Sequence, residues 1–241
     1  MPWFVGALRR VQLQRLEAVL VALTFVTGIV DAVTYLDLGH VFAANMTGNV
    51  VLLGFALVGA NQVSAFASLV SLGAFLLGAG LGGRLARALQ STQQRWIVTS
   101  LSLEGGLLLA AMLCATLRPS TSDAAIVGIL ALAMGIRNAT MRRVAIPDLT
   151  TTVLTMLLTV LAADTQAAGG GRGALARRLS AVAAMLGGAA SGALLLRAGG
   201  AELAIGVAAG VVAFVTAGYL ALAGLPAVRP SMAAAAPSSA Q

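Results

Sequence analysis

The chain has little charge, one cysteine and one histidine, and each of these shortages removes a class of function. Charged residues make up 10% of its 241 positions, whereas an average soluble domain is about a quarter charged. Because Cys114 is the single cysteine, no intrachain disulfide and no cysteine-based metal cage can form. His40 is the single histidine, which excludes multi-histidine metal sites. No nucleophile–base pair is visible either, so we expect neither an enzyme nor a metal or cofactor.

Apolar residues dominate the composition instead. They make up 59% of the chain, and the mean hydropathy is +0.95, so the surrounding solvent must be largely lipid. The net charge of +7 comes from fifteen arginines and no lysine, and most of these arginines flank apolar runs. Membrane proteins place cationic residues in this way, so we expect no nucleic-acid partner. The composition predicts an all-α polytopic integral membrane protein whose partner is the lipid bilayer.

Eight hydrophobic segments are visible along the chain. They are Ala18–Leu36, Val41–Ala60, Val63–Gly83, Trp96–Leu117, Ala124–Ile136, Leu149–Ala163, Leu179–Leu196 and Leu203–Leu225. We divide the chain into a cytoplasmic basic N-terminal segment (1–16), a first membrane repeat (17–117), a second membrane repeat (118–225) and a disordered C-terminal tail (226–241).

The arginines discriminate between two topologies. If all eight segments cross the membrane, eight arginines lie inside and seven outside, which is no bias. If the second and sixth segments instead enter and leave on the same side, only Arg118 and Arg197 lie outside, against thirteen inside. The positive-inside rule favours the second arrangement. It predicts six crossing helices plus two re-entrant or broken segments, with both termini cytoplasmic, and an eight-helix bundle is the alternative.

An internal repeat accompanies this topology. The block Gly28–Ala32 matches Gly135–Ala139 at an offset of 107, and Thr47–Val50 matches Thr150–Val153 at an offset of 103. A third block around Gly78 and Gly83 matches Gly187 and Gly192 at an offset of 109. With three crossings in each half, the two halves have opposite orientations, which is the inverted-repeat plan of many transporters and channels.

Two acidic residues lie inside apolar segments. An acidic side chain at the centre of a membrane helix costs about 2.5–3.5 kcal/mol, so we expect Asp31 to face protein or water. It is either a coupling or substrate-contacting acid or one partner of an interhelical pair, with Arg137 as the candidate partner. Glu104 is either a functional group or a buried polar lock. Asn138, the repeat mate of Asp31, keeps the hydrogen bonding without the charge.

The second and sixth segments hold uncharged polar residues. Such side chains can line a path where a helix opens, or they can be tight packing contacts. Together with the residues above they make up the candidates for a substrate path: Asp31, Asn45, Thr47, Gly48, Asn49, Glu104, Asn138, Thr150, Thr151 and Thr152.

These residues also carry a family resemblance. Gly28-x-x-Asp31-Ala32, the run Val41–Asn49, the run Met134–Ala139 and the threonine-rich segment Thr150–Thr155 together resemble the YoaK-type family of uncharacterised bacterial membrane proteins, domain of unknown function family 1275. The resemblance covers about Leu16 to Leu225. It implies a multi-pass protein of the bacterial inner membrane with roughly six helices, and it implies no established activity.

Two functional hypotheses follow. The first is a small transporter or channel-like protein that moves a small solute or ion along the interface of its two halves. The second is a non-transporting membrane protein, such as an assembly factor or a lipid-interacting factor.

Overall fold

A computed structural model describes residues 2–59, 64–89, 93–117, 123–144 and 172–223. Within these ranges all regular structure is α-helical. The sixth hydrophobic segment, with Thr150, Thr151 and Thr152, lies outside the described residues, and so does the predicted C-terminal tail.

The described residues form six helices, five of which are long and apolar enough to cross a membrane. The helices are α1 (Pro2–Leu36), α2 (Met46–Leu57), α3 (Ala65–Ala88), α4 (Gln93–Thr116), α5 (Asp123–Val144) and α6 (Arg172–Ala223).

The last helix is broken near its middle. Its apolar span covers 47 residues, roughly 70 Å at the rise of an α-helix, which is more than twice the thickness of the hydrocarbon core. Gly199 and Gly200 have non-helical backbone angles, and the φ of Gly200 is 76°, a value that glycine adopts without steric strain. We call the two arms α6a (172–198) and α6b (201–223).

The second hydrophobic segment is a short helix that follows a buried non-helical stretch. α2 has 12 residues and is therefore about 18 Å long, too short to span the bilayer. Residues 37–45 before it are not helical, yet Leu38, Val41 and Ala43 are buried. The chain thus enters the protein in an irregular conformation, which is tolerated at membrane depth where protein satisfies the backbone.

The first close helix pair joins α1 to α6a. A Cβ on Gly28 would overlap the backbone at Met185 and Ala189, and one on Gly188 would overlap the backbone of Phe25. The two backbones therefore touch, as in other small-residue contacts between membrane helices. Glu17 and Arg177, 3.7 Å apart, pair near the start of both spans, so α1 and α6a run in the same direction.

The second close pair joins α3 to α5 and repeats the first. A Cβ on Gly135 would overlap the backbone at Phe75 and Ala79, and one on Gly78 would overlap Leu132. Val70 contacts Gly128 further towards the start of both helices, so α3 and α5 are also parallel.

The contacts of the two pairs correspond one to one. Positions in α1 and α5 differ by 107, as from Gly28 to Gly135, and positions in α3 and α6a differ by 110, as from Gly78 to Gly188. The sequence register of 109 for the third block is therefore wrong by one residue. Gly192, which packs on Ile29 and Ala32, corresponds to Gly82, which packs on Ile136 and Ala139.

α4 connects the two pairs on another side of the bundle. It packs against α5 and against α6b. Gly105 faces Val212 while Met112 faces Gly206, so α4 and α6b run in opposite directions. The outer faces of the helices carry large apolar side chains, among them Leu186 and Phe214, which are 71% and 80% exposed. Surfaces of this kind belong in lipid.

Candidate functional site

A cavity of about 1240 Å³ lies between the two close helix pairs. One wall comes from α1 and α6a, the opposite wall from α3 and α5, and the start of α2 with the residues before it completes the lining. The described lining residues are Thr27, Asp31, Ala44, Asn45, Met46, Thr47, Gly48, Val51, Leu52, Phe75, Ala79, Gly83, Asn138, Ala139, Met141, Arg142, Arg143 and Met185. The surface is mostly apolar and carries a few polar groups, which is how small-molecule sites are commonly built.

Asp31 holds the irregular segment against α1. Its side chain is 4% exposed, and its Oδ1 accepts hydrogen bonds from the backbone N–H groups of Ala43 (3.0 Å) and Ala44 (2.8 Å). These amides lie just before α2, where the positive end of the helix dipole also favours a carboxylate. The other carboxylate oxygen, Oδ2, is buried and has no hydrogen-bond partner in the described part of the chain.

Asn49 fastens α2 to α3. Its Nδ2 donates to the carbonyl oxygen of Phe42 (2.6 Å) and to Oγ of Ser71 (3.0 Å), while its Oδ1 accepts from the N–H of Phe42 (2.8 Å). Ser71 in turn donates to the carbonyl oxygen of Phe42 (2.6 Å). Asn49 is completely buried and does not line the cavity. The structure therefore places Asn49 in a buried hydrogen-bond network with Phe42 and Ser71. We call this network the lock, and it holds α2 in position next to the cavity.

Asn45, Thr47 and Gly48 lie at the start of α2 and line the cavity. Asn45 is the N-cap, and its Oδ1 accepts from the N–H of Gly48. A Cβ on Gly48 would come within 2.8 Å of the Phe42 ring, so a larger residue here would displace that ring. Asn45 and Thr47 are both exposed, whereas Gly48 is half-buried.

Arg137 and Glu104 form a buried ion pair, with side chains 3% and 1% exposed. Nη2 of Arg137 bonds to Oε1 of Glu104, and Nη1 donates to the carbonyl oxygen of Leu23 (2.7 Å) and to Oγ1 of Thr27 (2.8 Å). The direct bond of Arg137 is to Glu104, whereas Asp31, the partner expected from the sequence, interacts with Arg137 only through its charge. Glu104 is a partner in this pair and not a lining group.

Five of the ten candidates meet at one cavity: Asp31, Asn45, Thr47, Gly48 and Asn138. Asn49 and Glu104 lie behind it, and the three threonines fall outside the described residues. Sequence reasoning missed Ser71 and the central role of Arg137. An arginine within an apolar helix was a usable signal for the second, because its cost in lipid demands a buried anion. No group of three His, Cys, Asp or Glu that could hold a metal occurs in the ranges that the structure describes.

Comparisons with known proteins agree with a membrane protein of unassigned function. The model of a family described as a protein of unknown function (DUF1275) matches residues 19–218. The chain is 35% identical over 143 residues to the UPF0700 transmembrane protein YoaK of Bacillus subtilis (strain 168), a match that covers 59% of this chain. The match spans 64% of that relative, slightly less than two thirds of its length. No solved structure matches the chain.

Proposed function

The chain belongs to the DUF1275 family of membrane proteins, and we propose that it is a transporter or channel-like protein that moves a small solute or ion through the cavity between its two close helix pairs. The observation that carries the proposal is the cavity itself. A space of about 1240 Å³ lined by Asp31, Thr47 and Asn138 in a lipid-facing bundle gives a polar solute groups to bind. A bundle that served only as a scaffold would be more stable with such a space filled.

The bonding pattern around the cavity supports movement of one pair against the other. Within each pair the backbones touch at glycines, so each pair is rigid. Across the cavity, Arg137 of α5 donates hydrogen bonds to Leu23 and Thr27 of α1. Two rigid pairs that contact each other mainly through polar groups and through the short α2 segment can rock against each other and expose the cavity to either side in turn, as in alternating access.

Helix directions support an inverted repeat with six crossings. Assume that each long helix and each arm of α6 crosses the membrane once and that successive crossings alternate in direction. A sixth segment that also crossed would then make α4 and α6b parallel. Their contacts at Gly105 and Met112 run in opposite directions, which favours a sixth segment that re-enters. If the sixth segment does not cross, the observed parallel directions of α1 and α6a require that the second segment does not cross either.

The arginines orient this arrangement in the membrane. Arg137 is buried and so is not a flanking charge, which leaves twelve arginines on one side against Arg118 and Arg197 on the other. For a protein of the bacterial inner membrane, the positive-inside rule then favours both termini on the cytoplasmic side.

A groove on the outer surface supports the second candidate function, a lipid-interacting protein. It has a volume of about 770 Å³ and runs along α1 and α6a, with Phe25 in its wall and the Glu17–Arg177 pair at one end. An apolar groove with a charged end suits a lipid chain and its headgroup. This candidate takes precedence if vesicles that contain the protein move no solute.

Two glycines of α3 offer a matched test of the path. A Cβ at Gly83 or Gly80 would meet no atom within 4 Å, but Gly83 lines the cavity and Gly80 does not. Leucine at Gly83 should fill part of the cavity, whereas leucine at Gly80 should add apolar surface towards lipid. In reconstituted vesicles screened over candidate solutes, we expect Gly83→Leu to reduce the flux of the wild-type substrate at least tenfold and Gly80→Leu to leave it within about twofold. Equal flux in the two variants would refute the cavity as the path.

A further inference from the structure

The buried charges beside the cavity do not balance. Asp31 and Glu104 are acidic, and Arg137 is the basic residue buried with them in the described part of the chain. The terminal nitrogens of Arg137 bond to Glu104, Leu23 and Thr27, and its charge reaches Asp31 without a hydrogen bond between them. The Glu104–Arg137 pair is neutral as a unit, so Asp31 is left as an acid without a cationic hydrogen-bond partner.

The second observation concerns the two carboxylate oxygens of Asp31. Oδ1 is occupied by two backbone amides, whereas Oδ2 is buried without a hydrogen-bond partner. A buried carboxylate oxygen without a donor is costly, and in native proteins such a group calls for an explanation, such as a functional role or a bound water or ion. Asp31 is also the acidic residue among the described residues of the cavity wall. Arg142 and Arg143 line the same cavity but are exposed, so water screens their charges.

The size and the surface of the cavity further limit the class of ligand that it can bind. Its volume of about 1240 Å³ exceeds the roughly 300–1,000 Å³ of ordinary ligand pockets and is far larger than a bare metal ion requires. Met46, Met141, Met185 and Phe75 give the lining a soft, apolar character, and methionine adapts to varied apolar shapes. A cationic head next to Asp31 and an apolar body against these side chains fit such a space.

We propose that the cavity binds a small organic ammonium ion, with an N–H group donating to Oδ2 of Asp31 and an apolar part lying against Phe75 and the methionines. The inference rests on the proposed function in so far as it assigns the substrate class of the same cavity. It concerns equilibrium binding, however, and can be tested without measuring transport.

The experiment measures binding to the purified full-length protein in lipid nanodiscs with three probes of similar shape: phenethylamine, the neutral phenethyl alcohol and the anionic phenylacetate. We expect phenethylamine to raise the unfolding temperature and the other two to do so at least tenfold less potently. Asp31→Asn should weaken phenethylamine binding at least tenfold, since a hydrogen bond to a charged group is lost. The matched control is Glu202→Gln, which removes a carboxylate at an exposed position outside the cavity wall and should leave binding unchanged.

A second measurement keeps Asp31 intact and decides the question if Asp31→Asn does not fold. A cysteine at Thr47 in a Cys114→Ser background should react with a maleimide, and phenethylamine should slow this reaction while the alcohol and phenylacetate do not. Equal protection by all three probes, protection by phenylacetate alone, or no protection by phenethylamine would overturn the proposal.

Flux measurements separate this inference from the proposed function. Binding of phenethylamine that depends on Asp31, without flux of any solute, would refute transport and leave the ammonium site standing. Flux of a neutral or anionic solute that responds to Gly83→Leu but not to Asp31→Asn or to phenethylamine would refute the ammonium site and leave transport standing.

Discussion

Alanine at Gly188 should separate α1 from α6a, whereas alanine at the neighbouring Gly187 should not. A Cβ at Gly188 would lie 2.8 Å from the carbonyl carbon of Phe25 and 3.1 Å from its Cα. At Gly187 the nearest atoms belong to the Phe25 ring at 3.7 and 3.9 Å, which is ordinary contact. The two substitutions add the same methyl group to the same helix, one residue apart.

The magnitude follows from the distances. Carbon atoms prefer about 3.5–4.0 Å, and the added Cβ would also overlap the carbonyl oxygen of Phe25. The helices must therefore move apart by at least roughly 0.5–1 Å, which forfeits a quarter to a half or more of each dispersion contact. Over about forty contacts of about 0.15 kcal/mol each, the loss is on the order of 2 kcal/mol. The gain in helix propensity from glycine to alanine, about 1 kcal/mol, applies to both variants and cancels in their difference.

The assay is reversible unfolding of each variant in mixed micelles, with the helix content as the signal. We expect the free energy of unfolding of Gly188→Ala to lie about 2 kcal/mol below that of Gly187→Ala. Gly78→Ala should behave like Gly188→Ala, because Gly78 makes the corresponding contact with Leu132. If Gly187→Ala and Gly188→Ala unfold at the same denaturant concentration, the backbone contact between α1 and α6a is not what holds the pair together.

Three further predictions concern the charges, the lock and the topology. Arg137→Met should lower the free energy of unfolding by about 3–5 kcal/mol because it leaves Glu104 as an unpaired buried anion, and the added change Glu104→Leu should restore most of the loss in a double-mutant cycle; additive losses would contradict the pairing. Asn49→Leu should lower the thermal stability by about 1–3 kcal/mol, since it removes the bonds to Phe42 and leaves that backbone unsatisfied, and an unchanged melting temperature would count against the lock. In a variant without other cysteines, Gln94→Cys should be labelled from the cytoplasm and Thr116→Cys from outside, while the reverse pattern would contradict the proposed orientation.

The sequence predicted the class of protein because that class depends on composition. A chain with 59% apolar residues must face lipid, and the helical membrane architecture and the family resemblance are both confirmed. The burial of Asp31 agrees with the expectation that a carboxylate avoids lipid. These results need no knowledge of which helices are neighbours.

Helix pairing was beyond the sequence because it depends on three-dimensional contacts between distant residues. The glycines at 78 and 188 indicated that some backbone comes close, but a glycine accepts any helix of suitable shape. The direct bond of Arg137 to Glu104 was likewise beyond the sequence, because either acid can interact with its charge and the placement of α4 beside α5 decides which one it contacts. The role of Asn49 depends on Ser71, 22 residues away on another helix.

The pairing of α1 with α6a also sets the order in which this chain can mature during synthesis. Gly28 leaves the ribosome 160 residues before Gly188, the residue against which it packs, an interval of roughly 8–32 s at bacterial and eukaryotic elongation rates. The hydrogen-bond donors of Asp31 are synthesised much sooner, because Ala43 and Ala44 follow it by 12 and 13 residues. Oδ1 of Asp31 can therefore accept its two backbone hydrogen bonds almost as soon as α1 enters the bilayer, while the glycine face of α1 stays open until α6a is made. If synthesis stops after the first half, α1 and α3 both present glycine faces whose partners, α6a and α5, have not been made.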